Sequence, residues 1–122
     1  MSLWAPVLGY MALIFVASSI SHPPEFPGSV PGADKYVHVL MYAGLTALFV
    51  RARAGGWMRP VSMTVAASAV LFSTAYGLTD EIHQHFVPPR QMDALDLVAD
   101  AGGAALAGVA MYAGIIRGRH GL

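Results

Sequence analysis

The side chains of this sequence that could carry chemistry are acids, bases and hydrogen-bond donors that recur at helical spacing. Asp34, Lys35, His38 and Tyr42 fall within about 100° of one another when the segment is drawn as a helix. Further along the chain come Glu81, Gln84, Arg90, Asp93, Asp96 and Asp100. A histidine beside a carboxylate is suited to general acid and base catalysis, and lysine and arginine bind anionic groups. The pattern therefore indicates proton transfer on, or binding of, a polar or anionic ligand.

The sequence offers no cysteine site and no pair of histidines suited to bind one metal ion. The chain has no cysteine, which excludes disulfides and thiolate metal sites. His83 and His85 would point about 160° apart on a helix, so they cannot hold one metal ion together. We therefore predict no dedicated metal site, while Glu81, Asp93 and Asp96 keep the option of gathering a divalent cation. The sequence does not identify a cofactor.

The elements that must position these side chains are apolar. The 122 residues are 56% hydrophobic and only 11% charged, whereas a soluble domain carries about 25% charged residues. Four apolar stretches approach or exceed the roughly 20 residues that cross a bilayer, and proline or glycine marks the segments between them. We predict an all-α polytopic membrane protein, a four-transmembrane-helix bundle in a single domain over residues 1–122. The predicted helices cover approximately residues 3–20, 34–50, 60–86 and 93–116.

The charges are distributed unevenly over the predicted connections. One side of the bundle carries most of the positive charges, which are Arg51, Arg53, Arg59, Arg117 and Arg119. The other side carries Lys35 and Arg90. Because cytoplasmic segments are enriched in lysine and arginine, we predict a multi-pass protein of the cell membrane with both termini cytoplasmic and the acidic residues at the outer face. Seven positive charges balance seven negative ones, so no nucleic-acid partner is expected.

Asp100 is the deepest of the predicted polar residues. It would lie about 10 Å below the start of the fourth helix, where an unpaired charge costs at least about 2.5–3.5 kcal/mol. Its candidate partners are Lys35, His38 and Arg90. We therefore expect a polar pocket between the second, third and fourth helices that opens on the outer face. In a purely structural interpretation, Lys35 and Arg90 only pair with carboxylates to hold the helices in register.

Two motifs carry a resemblance to a known family. They are the segment Asp34-Lys35-Tyr36-Val37-His38 and the run from Glu81 to Asp96. They resemble the VanZ-like family of small integral membrane proteins, whose pattern is roughly D-K-x-x-H, a following Tyr, E-x-x-Q-x-F-x-P-x-R-x-x-D-x-x-D and N-x-x-G. The matching positions here are Asp34, Lys35, His38, Tyr42, Glu81, Gln84, Phe86, Pro88, Arg90, Asp93, Asp96 and Gly103. Asp100 stands where the family commonly has Asn, which indicates a protonated carboxyl or one paired with Lys35 or Arg90.

The resemblance implies a role in the cell envelope, because the family takes its name from a protein associated with resistance to the glycopeptide antibiotic teicoplanin. It implies no particular reaction. We expect the chain to bind a phosphate- or sugar-bearing envelope lipid, or a lipid-linked envelope precursor, at the outer leaflet. Whether it also modifies this ligand, as an enzyme would, stays open.

Each candidate residue has an expected role in this scheme. Lys35 and Arg90 would hold an anionic head group, since arginine offers a bidentate fork and lysine a point charge. His38, flanked by Asp34, would be the general base. The carboxylates of Glu81, Asp93 and Asp96 would orient a hydroxyl or act as acids, and Tyr42, Gln84 and Asp100 would complete the binding site.

Two alternative functions remain open. The first is a non-catalytic accessory membrane protein that recognises the same ligands through its polar outer face. The second is a small proton-coupled transporter, which would need polar residues beyond Asp100. The fourth helix continues instead with a stripe of small or apolar residues, Gly103, Ala107, Met111 and Gly114. Small residues in this stripe also permit self-association or docking to another membrane protein.

Overall fold

Residues 2–19, 33–86 and 94–114 of the chain are described by a computed structural model, with the backbone alone for Ala33 and Asp34. Within these ranges the chain forms four α-helices and no β-strand. The helices are α1 (Trp4–Ser18), α2 (Ala33–Ala54), α3 (Met63–His85) and α4 (Ala94–Tyr112). The all-α prediction is confirmed for the described part of the chain.

Several helix boundaries differ from the predicted ones, and α4, predicted to continue to residue 116, ends at Tyr112. The sequence predicts a third helix from residue 60, but α3 begins at Met63. Ser62 precedes it in an extended conformation, and its Oγ accepts a hydrogen bond from the Val65 N–H at 3.1 Å. This cap satisfies a backbone donor that the first turn leaves open, so the helix begins after Ser62. α2 extends past its predicted end at residue 50 and stops before Gly55, which adopts a positive φ.

Small residues on α4 allow the other helices to approach it closely. α4 packs against both α2 and α3, and α1 packs against α2 and, less extensively, against α3. At Gly103, an added Cβ would overlap the backbone carbonyl of Val39 in α2. At Gly108, an added Cβ would meet the side chain of Val70 in α3. Gly103, the first member of the stripe of small residues predicted on the fourth helix, therefore lies in an interface within the chain.

Two apolar clusters stabilise the contacts between these helices. The first joins α1 to α2 and consists of Val7, Ile14, Tyr42, Leu45 and Ala52. The second joins the end of α2 to the start of α3 and the end of α4, and it consists of Val50, Val61, Ala66, Ala69 and Met111. Since the second cluster occupies one end of the α2–α3–α4 interface, the polar side chains of these helices gather at the other end.

The outward faces of the helices are also apolar. Large exposed side chains occur on every helix, among them Leu13, Leu40, Leu71, Leu106 and Val109. By length and composition, α4 with its 19 residues could cross a membrane, whereas α1 is apolar but has only 15 residues. α2 and α3 each carry several charged side chains, which lower their hydropathy. Of the helices that the structure describes, α4 is therefore the one that meets the criterion for a membrane span.

Candidate functional site

Three polar side chains of α2 lie on one face of the helix. Lys35, His38 and Tyr42 follow one another at i, i+3 and i+7, a spacing that repeats about every helical turn. The Lys35 Nζ lies 2.5 Å from the Asp96 Oδ1 on α4. The lysine side chain keeps 29% of its surface exposed, against 10% for the aspartate. This ion pair therefore forms the accessible edge of the site.

His38 lies between two carboxylates of α4. Its Nδ1 is 2.7 Å from the Asp100 Oδ1, within hydrogen-bonding distance, and its Nε2 is 3.7 Å from the Asp96 Oδ2. The two aspartates are one helical turn apart, so both can reach the same imidazole. Both are buried, and Asp100 has no exposed surface. The histidine thus connects the accessible Lys35 edge to the deepest acid of the site.

Glu81 enters the same site from α3. Its side chain is completely buried, and one of its oxygens lies within 4.8 Å of a His38 nitrogen and of an Asp100 oxygen. One turn earlier on α3, Gly77 leaves room for the aspartate, because a Cβ there would lie 2.9 Å from the Asp100 Oδ2. We call the five residues Lys35, His38, Glu81, Asp96 and Asp100 the polar cluster.

A second polar group ties α1 to α3 beside the polar cluster. The Ser18 hydroxyl donates a hydrogen bond to the Asp80 Oδ1, and the Gln84 Nε2 donates to the Asp80 Oδ2 at 3.2 Å. Gln84, predicted to bind ligand, is buried and bonded to this aspartate. Sequence reasoning missed the role of Ser18, because no spacing rule relates a side chain of the first helix to one of the third.

The polar character decreases along the bundle away from the cluster. Tyr42, predicted to bind ligand, is fully buried in the apolar cluster between α1 and α2. Further along α2, the Thr46 hydroxyl donates to the Ser73 Oγ at 2.7 Å. Beyond Asp100, the buried residues of α4 are Gly103, Ala104, Ala107, Gly108 and Met111. The described part of α4 therefore offers no polar path for the transporter alternative.

The VanZ/LLP1 family model matches residues 4–117 of the chain. The chain belongs to the VanZ/LLP1 family. Among curated proteins and among solved structures, no match to the chain was found. The matched range contains all four helices and every residue of the polar cluster. The resemblance inferred from the two motifs is therefore confirmed.

Three candidate residues of this VanZ/LLP1 protein cannot be placed in the site. Arg90 and Asp93 lie outside the described residues, and the side chain of Asp34 is likewise not described. The predicted pairing of Arg90 with Asp100 and the predicted support of His38 by Asp34 therefore stay predictions. Of the partners proposed for Asp100, the structure places His38 against it.

The polar cluster of the VanZ/LLP1 protein has more acidic than basic groups. Glu81, Asp96 and Asp100 face one lysine and one histidine. A carboxylate without exposed surface is expensive to keep ionised unless a proton, a cation or hydrogen bonds compensate its charge. A histidine held between acids can accept a proton from a ligand and pass it on. The cluster is therefore suited to proton transfer and to binding a cation.

The open groove described between α3 and α4 differs from the polar pocket expected from the sequence. It is lined by the apolar or small residues Met63, Ala66, Ala67, Val70, Ala105, Gly108, Val109 and Tyr112. It lies along the beginning of α3 and the end of α4, away from the polar cluster. The residues of the polar cluster, by contrast, pack against one another.

Proposed function

We propose that this VanZ/LLP1 protein is a multi-pass membrane protein whose polar cluster binds the phosphate- or sugar-bearing head group of an envelope lipid or precursor. The observation that carries this proposal is the position of Lys35. This partly exposed ammonium lies at the edge of a buried group of acids and a histidine. Such an ionisable group between helices with apolar outer faces is a functional site by default.

The membrane placement is supported by the surface of the helices. Leu40 on α2, Leu71 on α3 and Leu106 on α4 are each largely exposed. Apolar side chains of this size have a lower free energy when they are removed from water. A bilayer would supply water-free surroundings to all four helices. Arg51 and Arg53 lie at the opposite end of α2 from Lys35, which favours the arginine-bearing end as the cytoplasmic one.

Head-group binding is supported by the charge at the edge of the cluster. The Lys35 ammonium pairs with Asp96 but keeps part of its surface exposed, so a phosphate oxygen or a sugar hydroxyl can reach it from outside the cluster. The long lysine side chain can keep its charge in the interfacial layer while its stem stays among the helices. Arg90, as predicted from the sequence, would add a second cation for an anionic head group.

Modification of the ligand would begin at His38. Asp100 accepts or shares the proton at the Nδ1 of this histidine, which leaves the Nε2 to take a proton from a ligand hydroxyl. Asp96 lies 3.7 Å from that Nε2, close enough to influence its charge. The accessory-protein alternative uses the same contacts for binding and forms no product.

The proposal is tested by identifying the lipids that remain bound to the protein. The chain is extracted with its surrounding membrane in polymer nanodiscs, and the retained lipids are compared with the bulk membrane by mass spectrometry. We expect enrichment of a phosphate- or glycan-bearing lipid and its loss in Lys35→Gln. Arg53→Gln is the matched control, since Arg53 is an exposed residue at the other end of α2 whose guanidinium donates to the Ser68 Oγ. A wild-type profile equal to the bulk membrane would refute the proposal.

The same preparation separates catalysis from binding. Incubated wild-type nanodiscs should convert the enriched lipid into a product of different mass, and His38→Gln should retain the lipid without converting it. Retention without any product in the wild type supports the accessory-protein alternative.

A further inference from the structure

We propose that His38, Glu81 and Asp100 form a binding site for one divalent transition-metal cation, for which Zn²⁺ is the representative ion. Each residue comes from a different helix, α2, α3 and α4 in turn. One ligand atom of each lies within 4.8 Å of those of the other two, and all three side chains are buried. From the sequence we considered His83 with His85, and a carboxylate set that contains Glu81, but not this combination.

The spacing is compatible with a single ion after a small adjustment. Imidazole nitrogen and carboxylate oxygen bind Zn²⁺ at about 2.0–2.2 Å, so two ligands of one tetrahedral ion lie roughly 3.4 Å apart. The ligand atoms here lie within 4.8 Å of one another, so side-chain rotation by up to about an ångström toward a shared centre closes the set.

A second observation points to a ligand at this position. Asp100 has no exposed surface, and its Oδ2 has no hydrogen-bond partner among the residues that the structure describes. This oxygen faces α3 at Gly77, one turn before Glu81. Buried carboxylate oxygens are normally hydrogen bonded or bound to a cation. An ion between α3 and α4 would give the Oδ2 the partner that it lacks.

The charges favour a divalent cation. Glu81 and Asp100 together carry two negative charges when ionised, and neutral histidine adds none, so a divalent ion makes the set neutral. Among divalent ions, Mg²⁺ and Ca²⁺ prefer oxygen ligands alone, whereas imidazole suits Zn²⁺ and its transition-metal neighbours. Soft ions such as Cu(I) would select thiolates, which this chain does not contain.

The ion would also give the head group a point of attachment. Three protein ligands leave at least one coordination position of Zn²⁺ for an oxygen from outside the protein, as in catalytic zinc sites. In this respect the inference deepens, and rests on, the proposed head-group binding. It replaces the role of His38 as general base, because a neutral imidazole that binds the ion through one nitrogen has no second nitrogen free to take a proton. The metal site itself is defined on the protein alone and can be measured without lipid.

The test measures Zn²⁺ binding by the full chain without a polyhistidine tag. The protein is purified in detergent, treated with a chelator, desalted and titrated with Zn²⁺ by calorimetry, with elemental analysis of the complex. We expect one Zn²⁺ per chain, a raised melting temperature, weaker binding of Mn²⁺ and none of Mg²⁺. The nearly isosteric variants Glu81→Gln and Asp100→Asn should weaken Zn²⁺ binding by more than about tenfold, as the loss of a supporting group already does.

The matched control is Asp80→Asn. Asp80 is a buried carboxylate beside Glu81 in the chain, but it is held by Ser18 and Gln84 and is not one of the three ligands. This variant should bind Zn²⁺ as the wild type does. Absence of Zn²⁺ binding in the wild type overturns the inference, and so does equal binding in Glu81→Gln, which would place the ion elsewhere on the chain.

Two further measurements keep the result decisive. Zinc-edge X-ray absorption on the wild-type complex should show one imidazole nitrogen with oxygen ligands. Several imidazole ligands instead would overturn the inference. This measurement needs no variant, so it decides the question even where a variant fails to fold. Lipid retention is measured in parallel. Zn²⁺ binding without lipid enrichment supports the metal site and refutes the head-group proposal, whereas enrichment without Zn²⁺ refutes the metal site alone.

Discussion

The Nδ1 of His38 lies 2.7 Å from the Oδ1 of Asp100, and this contact joins the polar face of α2 to the buried face of α4. The aspartate has no exposed surface, and the histidine is nearly buried as well. Each group therefore depends on the other for the hydrogen bond that water would otherwise supply. The pair contributes to the candidate chemistry and to the stability of the α2–α4 interface at once.

The contribution of this contact to stability can be measured with a double-mutant cycle on His38 and Asp100. His38→Ala should lower the free energy of unfolding by about 3–5 kcal/mol, because it leaves a buried carboxylate without its partner. Asp100→Asn, which keeps the side-chain shape, should cost less. The double variant should be more stable than His38→Ala alone. Unfolding followed by intrinsic fluorescence in one detergent measures all four proteins, and strictly additive losses would contradict the coupling.

Gly103 should be sensitive to the addition of one methyl group. Gly103→Ala places a Cβ against the Val39 carbonyl, and we expect it to lower stability by about 1–3 kcal/mol or more. The neighbouring Gly102 is the control, since it is exposed and an added Cβ meets nothing within 4 Å. Gly102→Ala should leave stability unchanged or raise it by up to about 1 kcal/mol through helix propensity. Melting temperatures of the two variants in the same detergent check the difference, and equal values would contradict the close contact.

Gly77 should affect the polar cluster more than the fold. In Gly77→Ala, the new Cβ would lie 2.9 Å from the Asp100 Oδ2 and 3.1 Å from its Cβ, so the aspartate must shift. We expect loss of lipid retention and of Zn²⁺ binding with a stability cost of about 1–3 kcal/mol. Gly108→Ala, which meets Val70 instead, should cost a similar amount of stability and keep both binding activities. Equal binding by the two variants would show that Asp100 tolerates the displacement.

The proposed membrane orientation can be tested with single cysteines, because the chain itself has none. Met58, between α2 and α3, and Phe86, directly after α3, are similarly exposed at 72% and 74%. In intact cells, Phe86→Cys should react with a membrane-impermeant maleimide. Met58→Cys should react only after the membrane is opened. The reverse pattern would place the polar cluster on the cytoplasmic side.

The fold class and the helix faces could be predicted because they depend on local chemistry. A 3.6-residue repeat places Lys35 and His38 on the same side of α2. The same rule places Asp96 and Asp100 one turn apart on the same face of α4. The first residue of α3 is harder to predict from the sequence. Pro60 favours an earlier start, whereas the cap formed by Ser62 places the start at Met63. Contacts between helices followed no such rule, so the bond from Ser18 to Asp80 was not anticipated.

The sequence by itself determined four helices with apolar outer faces, the family motifs and the set of ionisable residues that share a face, since each follows from composition or from spacing along one helix. Only the tertiary structure decided that His38 meets Asp100 while Lys35 meets Asp96, and that Glu81 joins them from α3. These choices depend on how closely and in what register the helices pack. That distance is set by Gly103 and Gly77, which bear no side chain and therefore leave room for backbone and for carboxylate.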